Sequence, residues 1–324
     1  MGNAISYAAW TQSYCIPAPT LTEENLPDQA GKVHIVTGGY AGVGEQLAKI
    51  LYSKGAKVYV AGRSESKAET AIDRVKSACP NASGEIVFLK LDLADLPSIK
   101  ASTEEFLAKE SRLDVLINNA GVMFPPKGTK TAQDHDLQFG TNCLGPYLFT
   151  KYLHPTMKQT AATSPPKTVR VIWASSLGIQ LLSPAGGVQF DTSGKLKDIN
   201  QTVNYAQTKV GNILLAIKTQ ELLKDAGVVS VSFNPGNLRT ELARHVTGAA
   251  LVSWMMHPAV YGAYTELWSG WSPDVTIDRG ITYVMPWGRD GTAIVRNDIL
   301  QSIEKHDLVD TFWKYCEGET KQYA

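Results

Sequence analysis

Short runs of apolar residues alternate with helical segments along most of this chain. Six such runs are predicted to be strands, at 33–36, 58–61, 86–89, 115–117, 169–174 and 228–233. Helical spacing is found between them, at 45–53, 67–78, 99–109, 142–157 and 205–223. Strands that are apolar at consecutive positions are typical of a parallel sheet covered by helices on both faces. The alternation therefore predicts an α/β fold with a doubly wound parallel sheet.

The composition is that of a globular protein and excludes several other classes. The 324 residues carry 31 Lys and Arg against 31 Asp and Glu, and 44% are hydrophobic. Such a chain can bury a core but offers no basic surface for nucleic acid. Its four cysteines, at 15, 79, 143 and 316, are too few and too far apart for a disulfide framework or a metal site. They favour a reducing compartment, so we predict a cytoplasmic location.

Two segments bear on membrane attachment. Residues 246–265 carry no charge, but His257 and Pro258 interrupt them, which favours a buried segment or a pocket wall over a transmembrane segment. Residues 1–30 are interpreted as an N-terminal leader on the outside of the domain. The leader begins MGNAIS, which matches the pattern for N-myristoylation of Gly2. Because one acyl chain binds membranes only weakly, the motif predicts at most a weak peripheral association, and an accidental match is the alternative.

The turn after the first strand is rich in glycine. It reads TGGYAGVG from Thr37 to Gly44 and leads into a helix. Its glycines let the backbone approach a pyrophosphate, whose charge the helix N-terminus stabilises. A structural bend is the alternative, but the strand–turn–helix context favours dinucleotide binding. Arg63, at the end of the second strand, can pair with a 2′-phosphate where an acidic residue would bind a ribose hydroxyl, so NADP(H) is favoured over NAD(H).

A tyrosine and a lysine lie four residues apart at the head of the last predicted helix. Tyr205 and Lys209 share a helix face, where the ammonium favours the phenolate and brings the tyrosine pKa toward a working value. Such a pair often occurs by chance. Here, however, Asn118–Gly121 follows the fourth strand, Asn142 lies in a helix and Ser175–Ser176 follows the fifth strand.

These motifs, in this order, resemble the short-chain dehydrogenase/reductase family over residues 32–240. The block around Tyr205, the insertion before it and the tail at 283–289 are similar to the retinol-dehydrogenase-like branch and its fungal relatives. The resemblance implies a Rossmann-type fold in a single domain over 31–324. It also implies an NADP(H)-dependent oxidoreductase that interconverts a ketone or aldehyde and an alcohol.

The resemblance assigns a role to each site residue. Tyr205 would exchange a proton with the carbonyl oxygen, and Ser176 would hydrogen-bond the oxyanion. Lys209 would bind the nicotinamide ribose and lower the Tyr205 pKa, and Asn142 would hold a water that links Lys209 to solvent. Asp92 would contact the adenine. The cofactor-binding residues would be Thr37, Gly38, Tyr40, Gly42, Val43, Gly44, Arg63, Asp92, Asn118, Ala120, Tyr205, Lys209, Pro235 and Thr240. A helix cap at Asn142 and a turn at Asp92 are the structural alternatives.

The segment after the last predicted strand is apolar and aromatic. We expect residues 237–290 to form a substrate-binding cap, with Trp254, Met255 and Tyr261 in the pocket wall. Such a lining suits a bulky lipophilic substrate, such as a terpenoid, steroid, retinoid or polyketide of secondary metabolism. A strongly anionic substrate would be a surprise.

Two other functions stay open beside the oxidoreductase. A non-redox isomerase or cyclase could use the same scaffold, and so could a non-catalytic NADP-binding module, although the complete motif set favours redox catalysis. A homodimer is also open, because family members often dimerise through the helices that here begin near Asn142 and Tyr205. The leader and the tail after Gly288 could instead cover that surface.

Overall fold

The structure is a computed structural model that describes residues 2–240, 242, 256–280, 282–305 and 307–324, with side chains described from Tyr7 onward. Eight strands form one sheet. They are β1 (Val33–Thr37), β2 (Lys57–Gly62), β3 (Glu85–Lys90), β4 (Val115–Asn118), β5 (Arg170–Ala174), β6 (Val229–Phe233), β7 (Tyr283–Met285) and β8 (Arg289–Asp290). The strand order is β3-β2-β1-β4-β5-β6-β7-β8, and every neighbouring pair is parallel except β7 and β8.

Helices cover both faces of this sheet. They are α1 (Gly2–Ser13), α2 (Gly42–Ser53), α3 (Glu65–Ala78), α4 (Leu96–Lys109), α5 (Leu137–Phe139), α6 (Gly145–Ala162), α7 (Gly178–Leu181), α8 (Gln201–Leu223), α9 (Ala259–Trp271), α10 (Asn297–Lys305) and α11 (Leu308–Thr320). Successive strand residues enter opposite apolar clusters, as Ile35 and Val36 do, which explains why the strands are apolar at consecutive positions. The predicted doubly wound α/β fold of the Rossmann type, in one domain, is confirmed.

The direction of winding reverses at β1. This strand pairs with β2 on one side and with β4 on the other. In sheets of this kind, ligands bind in the crevice beyond the carboxyl ends of the strands at the reversal. The Gly-rich turn and Asn118–Gly121 both lie at that crevice.

The predicted helix at 142–157 differs from the observed one. The helical segment begins earlier, with α5, and passes through a π-helical turn at Gly140–Leu144 before α6 continues to Ala162. Asn142 therefore lies in the π turn. Such turns occur often at functional sites, because the extra residue changes the direction of nearby side chains.

The leader also differs from the expectation that it lies on the outside. Residues 2–13 form α1, and its last turn enters the protein: Gln12 is fully buried and Ser13 is 8% exposed. Further along, Leu26 joins one of the two core clusters. Among the described side chains of α1, Tyr7 and Trp10 on the outer face are exposed.

The C-terminal helix α11 lies over α6 and α8. The Phe312 ring rests against the backbone of Gly211, and the rings of Trp313 and Tyr147 are 4.7 Å apart. An ion pair of 3.0 Å joins Lys151 and Glu317. The tail thus covers the two helices that the resemblance associates with dimers. None of the described helices is long and apolar enough to cross a bilayer.

Candidate active site

Close backbone approaches shape the Gly-rich turn. Gly38 and Gly42 have φ values of +67° and +54°, which glycine adopts without strain. A Cβ at Gly44 would lie 2.7 Å from both the Asn119 amide nitrogen and the Gly38 carbonyl oxygen. These glycines are therefore required by the path of the chain. Because glycine has no side chain, a ligand can approach the backbone of the turn closely.

The turn is tied to the end of β4. The Thr37 hydroxyl donates to the Ile117 carbonyl oxygen at 3.1 Å and accepts from the Ala120 amide at 3.0 Å. The Asn119 amide donates to the Thr37 carbonyl oxygen at 2.8 Å. Thr37 and Ala120, both predicted cofactor contacts, thus lie together on one side of the crevice.

The first turn of α2 faces the same crevice. Its N-cap residue, Ala41, has no side chain that could bond the free amides, so these are available to a phosphate. Thr240, which the family resemblance places near the cofactor, lies with its methyl carbon 3.3 Å from a Cβ built at Gly42. Val43 packs instead toward Gly262 in α9, so its side chain supports the turn from behind.

Two cations meet at the ends of β2 and β3. Arg63 is exposed and forms no ion pair within the described part of the chain. The Lys90 ammonium donates to the Arg63 carbonyl oxygen at 2.6 Å. The Tyr40 ring covers Gly62, and its hydroxyl accepts from the Ser64 amide at 3.4 Å. Sequence reasoning missed Lys90, although a lysine at the end of a strand beside Arg63 was a usable signal.

Ser176 and Tyr205 lie side by side. A Cβ built at Gly178 would be 3.4 Å from the Ser176 hydroxyl oxygen and 3.5 Å from the Tyr205 ring. Burial raises the pKa of Tyr205 to about 12, and the hydrogen bond with Ser176 opposes that shift. The expected lowering of this pKa by Lys209 is therefore wrong, because burial outweighs the effects that favour the phenolate. The first serine, Ser175, donates instead to the Lys209 carbonyl oxygen at 2.8 Å. Ser176 is therefore the serine that reaches the tyrosine.

Lys209 is buried beneath the tyrosine ring. Its ammonium donates to the Ala174 carbonyl oxygen at 2.9 Å and lies 5.5 Å from the centre of the Tyr205 ring. Burial lowers the pKa of Lys209 to about 8. A Cβ built at Gly121 would be 3.5 Å from this nitrogen and 3.1 Å from the Asn142 amide oxygen. The four predicted catalytic side chains thus converge on one region.

The Asn142 amide binds protein groups through both its oxygen and its nitrogen. Its oxygen accepts from the Val122 amide at 2.8 Å, and its nitrogen donates to the Val122 carbonyl at 3.0 Å and to the Thr208 hydroxyl at 3.1 Å. The π turn therefore aims Asn142 at the loop that follows β4, beside Lys209.

Two predicted cofactor contacts have local structural partners. Asn118 is 2% exposed, its amide nitrogen donates to the Thr150 hydroxyl at 3.0 Å under α6, and its side-chain oxygen has no partner among the described residues. An Asp92 carboxylate oxygen accepts from the Ala94 amide at 2.9 Å, as in the turn weighed as an alternative. Asp92 nevertheless lies two residues after Lys90, at the carboxyl end of β3.

Phe124 is a site residue that the sequence motifs did not indicate. Its ring lies 5.4 Å from the Tyr205 ring, edge to face. The backbone has φ of +49°, and the amide donates to the Gln138 side-chain oxygen at 2.9 Å. No pattern marks this position, because its contact with Tyr205 depends on the path of the loop after β4.

An aromatic cluster borders the turn that follows β6. Tyr261 and His257 each lie 4.6 Å from Trp287, measured between ring centres. A Cβ built at Gly236 would be 3.7 Å from the Trp287 ring nitrogen, so the cluster lies next to Pro235–Gly236. The other two predicted pocket residues, Trp254 and Met255, lie outside the described residues.

The end of the turn after β6 is hydrogen-bonded to the residue that precedes Pro258 and α9. Leu238 and His257 form a parallel bridge. The Arg239 amide donates to the His257 carbonyl, and the His257 amide donates to the Asn237 carbonyl, both at 2.9 Å. These bonds fix the start of α9 next to the end of the turn after β6.

Comparisons with known proteins identify the family and the fold. A family model for short chain dehydrogenases matches residues 32–178. A short-chain dehydrogenase/reductase of Phomopsis amygdali is 44% identical over 328 residues, covering 98% of this chain and 97% of its own length. An uncharacterized Mycobacterium paratuberculosis protein of known structure has a TM-score of 0.66 at 25% identity, over 93% of this chain and 97% of that one. A metagenomic short-chain oxidoreductase, crystallised with NADP, shares the fold with a TM-score of 0.55 at 24% identity, over 79% and 96% of the two chains.

The similarity to the Phomopsis protein spans nearly the whole of both chains, and it includes the crevice in which the Gly-rich turn, Ser176, Tyr205 and Lys209 meet. The chain therefore belongs to the short-chain dehydrogenase/reductase family, a family of oxidoreductases.

Proposed function

We propose that the protein is an NADP(H)-dependent oxidoreductase that interconverts a ketone or aldehyde and an alcohol on a bulky lipophilic substrate. The observation that carries this proposal is the convergence of Ser176, Tyr205 and Lys209 beside the Gly-rich turn. A proton donor, a hydrogen-bond donor and a buried cation on one region are the groups that carbonyl reduction needs.

Each of the three side chains has a distinct task in this proposal. The bound dinucleotide would supply the hydride to the carbonyl carbon. With a pKa of about 12, Tyr205 stays protonated at neutral pH and can donate its proton to the carbonyl oxygen. The Ser176 hydroxyl would donate a hydrogen bond to the same oxygen as negative charge develops there. The Lys209 ammonium would stabilise the phenolate that the proton transfer leaves behind.

The preference for NADP(H) over NAD(H) rests on charge. Arg63 and Lys90 meet where the ribose of a bound dinucleotide would lie, and both can pair with a 2′-phosphate. The Gly-rich turn has no side chain at Gly38, Gly42 or Gly44, and the first amides of α2 have no capping side chain, so both can approach a pyrophosphate.

The lipophilic substrate class rests on the aromatic cluster of His257, Tyr261 and Trp287. Aromatic walls bind apolar ligands through burial of apolar surface, with few polar groups to orient them. We accordingly propose a terpenoid, steroid, retinoid or polyketide substrate, and a place in secondary metabolism, which is consistent with the fungal relatives.

We also propose a cytoplasmic protein with weak peripheral membrane association through myristoylated Gly2. The supporting feature is the outer face of α1 and the residue that follows it, where Tyr7, Trp10 and Tyr14 are exposed at helical spacing and no charge precedes Glu23. Tyrosine and tryptophan favour the membrane–water interface. The intact mass of the native protein decides whether Gly2 carries the acyl chain.

The decisive experiment combines a substrate panel with a single hydroxyl deletion. Lipophilic ketones and aldehydes are incubated with NADPH, and its absorbance is followed. Tyr205→Phe should lower kcat by at least a thousandfold, within the range expected for general acid catalysis plus orientation. NADPH affinity should change little, because only the proton donor is lost.

Tyr147→Phe is the matched control. Tyr147 is equally buried, its hydroxyl has no hydrogen-bond partner in the described structure, and it lies on α6 outside the crevice. This variant should keep the wild-type rate. Substantial turnover by Tyr205→Phe would refute the mechanism. Conversion of a substrate without oxidation of NADPH would instead favour the non-redox isomerase or cyclase.

A further inference from the structure

We propose that Gln12, on the N-terminal helix α1, is a positioning residue of the active site. Its carboxamide joins the segment that carries Ser176 to the turn that begins at Pro235. This inference rests on the proposed function and deepens it, because it makes part of the leader a component of the catalytic machinery.

Gln12 is the inward anchor of α1. Its side chain is fully buried, and its oxygen accepts two hydrogen bonds, from the Tyr283 hydroxyl at 2.8 Å and from the Asn234 amide at 2.9 Å. The Gln12 amide nitrogen donates to the Ala8 carbonyl at 3.1 Å within the helix. One oxygen from α1 thus holds groups from β7 and from the end of β6.

Tyr283 extends the network toward the catalytic serine. Its hydroxyl lies 2.8 Å from the Gln12 oxygen and 3.4 Å from the Ser176 carbonyl oxygen. The hydroxyl has one proton, which it donates to the nearer Gln12 oxygen, so it touches the Ser176 carbonyl by packing. Gln12 thereby holds the Tyr283 hydroxyl against the main chain that carries the Ser176 side chain. The Ser176 hydroxyl accepts from the Gly178 amide at 3.0 Å.

Asn234 extends the network toward the cofactor side. Its side-chain oxygen accepts from the Gly236 amide at 3.1 Å, so the Asn234 carboxamide links Gln12 to the Pro235–Gly236 turn. That turn leads to Thr240, which lies over Gly42 in the Gly-rich turn. Gln12 therefore contacts both sides of the crevice, the Ser176 side through Tyr283 and the Pro235–Gly236 turn through Asn234.

Neighbours of Gln12 reinforce the attachment. The Ser13 hydroxyl accepts from the Asn237 amide at 3.0 Å, and the Thr11 carbonyl accepts from the Arg289 guanidinium at 2.7 Å. Three consecutive residues of α1 therefore bind the segments around β6, β7 and β8. A buried network in which each polar group has a partner favours a single arrangement of those segments. Since misplacement by about 1 Å can cost about a hundredfold in rate, loss of the anchor should reduce kcat.

The test compares Gln12→Met with Gln12→Glu. Methionine keeps the length of the side chain but accepts no comparable hydrogen bond, whereas glutamate keeps an acceptor for Tyr283 and Asn234. With NADPH and trans-1-decalone as the assay pair, Gln12→Met should lower kcat at least tenfold while the KM for NADPH changes less than threefold. Gln12→Glu should recover kcat to within threefold of the wild type.

Gln29→Met is the matched control for lost stability. Gln29 is 5% exposed and binds the Trp271 ring nitrogen at 2.9 Å, away from the crevice. Its loss should lower the melting temperature but leave kcat unchanged. Equal kcat values for Gln12→Met and Gln29→Met would overturn the proposal. Tyr283→Phe, alone and combined with Gln12→Met, should give no greater loss than Gln12→Met alone if both act through one network.

Hydrogen exchange separates this proposal from the proposed function. In Gln12→Met, the amides of Gly178 and Gly236 should exchange at least tenfold faster, and in Gln29→Met at the wild-type rate. Unchanged exchange in Gln12→Met would refute the positioning role, whatever the substrate. A second outcome separates the two proposals. If exchange is faster in Gln12→Met but neither the wild type nor Tyr205→Phe oxidises NADPH with any carbonyl compound, the positioning role is supported and the proposed oxidoreductase is refuted.

Discussion

At the scale of single residues, the shifted pKa of Lys209 links burial to the rate of reaction. Burial lowers this pKa to about 8, so the ammonium loses its proton just above neutral pH. Because only the ammonium stabilises the phenolate of Tyr205, kcat/KM for carbonyl reduction should fall about tenfold per pH unit above that value. A pH profile measures this directly.

Lys209→Arg provides the control for this profile. A guanidinium keeps its charge throughout the accessible pH range, so the decrease near pH 8 should disappear even if the overall rate is lower. A wild-type profile that stays flat up to pH 10 would contradict the role given to the Lys209 charge.

Glu266 carries a second consequence of burial, this time for stability. Its carboxyl is fully buried in α9 without a hydrogen-bond partner among the described residues, and burial raises its pKa well above the usual value. The folded state therefore binds this proton more tightly than the unfolded state. The destabilisation that Glu266 causes is absent below the unfolded pKa of about 4.3. As pH rises above that value, the free energy of unfolding falls by up to about 1.4 kcal/mol per pH unit until the folded pKa is reached.

Glu266→Gln should accordingly raise the free energy of unfolding at pH 8 and have a much smaller effect at pH 4. Denaturant titrations at the two pH values measure the difference. Glu69→Gln, at an exposed position on α3, is the control and should change stability little at either pH. An equal effect of Glu266→Gln at pH 4 and pH 8 would show that desolvation of the charge is not the cause.

At the scale of elements, the contact between α8 and α11 depends on one glycine. A Cβ at Gly211 would overlap the Phe312 ring and lie 3.1 Å from the Cys143 sulfur. Gly211→Ala should therefore lower the free energy of unfolding by about 1–3 kcal/mol, the usual cost of overpacking. Gly318→Ala, in α11 with open space around it, should raise it by up to about 1 kcal/mol through helix propensity.

Denaturant titrations of the two variants give the comparison, and equal effects would contradict the described packing. The same contact bears on assembly. Because α11 covers α6 and α8, we do not expect a dimer through those two helices.

The sequence predicts an element only where the element is long enough to show a run or a period of apolar residues. Strands β1, β2, β4, β5 and β6 are buried on both faces and the edge strand β3 is half-buried, so continuous apolar runs marked all six. In contrast, β7 and β8 have three and two residues, too few for any periodicity. The motif residues of the crevice were predictable because each has a fixed chemical task. Gln12 and Phe124 were not, since their contacts depend on how distant segments meet.

At the scale of the whole molecule, cofactor choice should be visible as stability. A ligand that binds only the folded state stabilises it in proportion to the logarithm of its affinity. We therefore expect NADPH to raise the melting temperature more than NADH at equal concentration. Arg63→Ala should remove most of that difference, because a tenfold loss of affinity corresponds to about 1.4 kcal/mol.

Arg279→Ala is the control for this measurement, because Arg279 is an exposed arginine that pairs with Asp274 outside the crevice. In Arg279→Ala, the difference between the rises in melting temperature caused by NADPH and by NADH should match that of the wild type. Equal shifts by the two cofactors in the wild type would refute the assigned preference for NADP(H).

The bridge between Leu238 and His257 has a consequence for how new specificities could arise. Two chain ends that are hydrogen-bonded side by side can be joined by segments of different length and sequence without moving the strand before them or the helix after them. The residues between Thr240 and His257 could therefore be exchanged between relatives while Thr240 keeps its place over Gly42. If the protein has the function proposed above, such a graft would change the substrate preference and leave Tyr205 and the Gly-rich turn as they are.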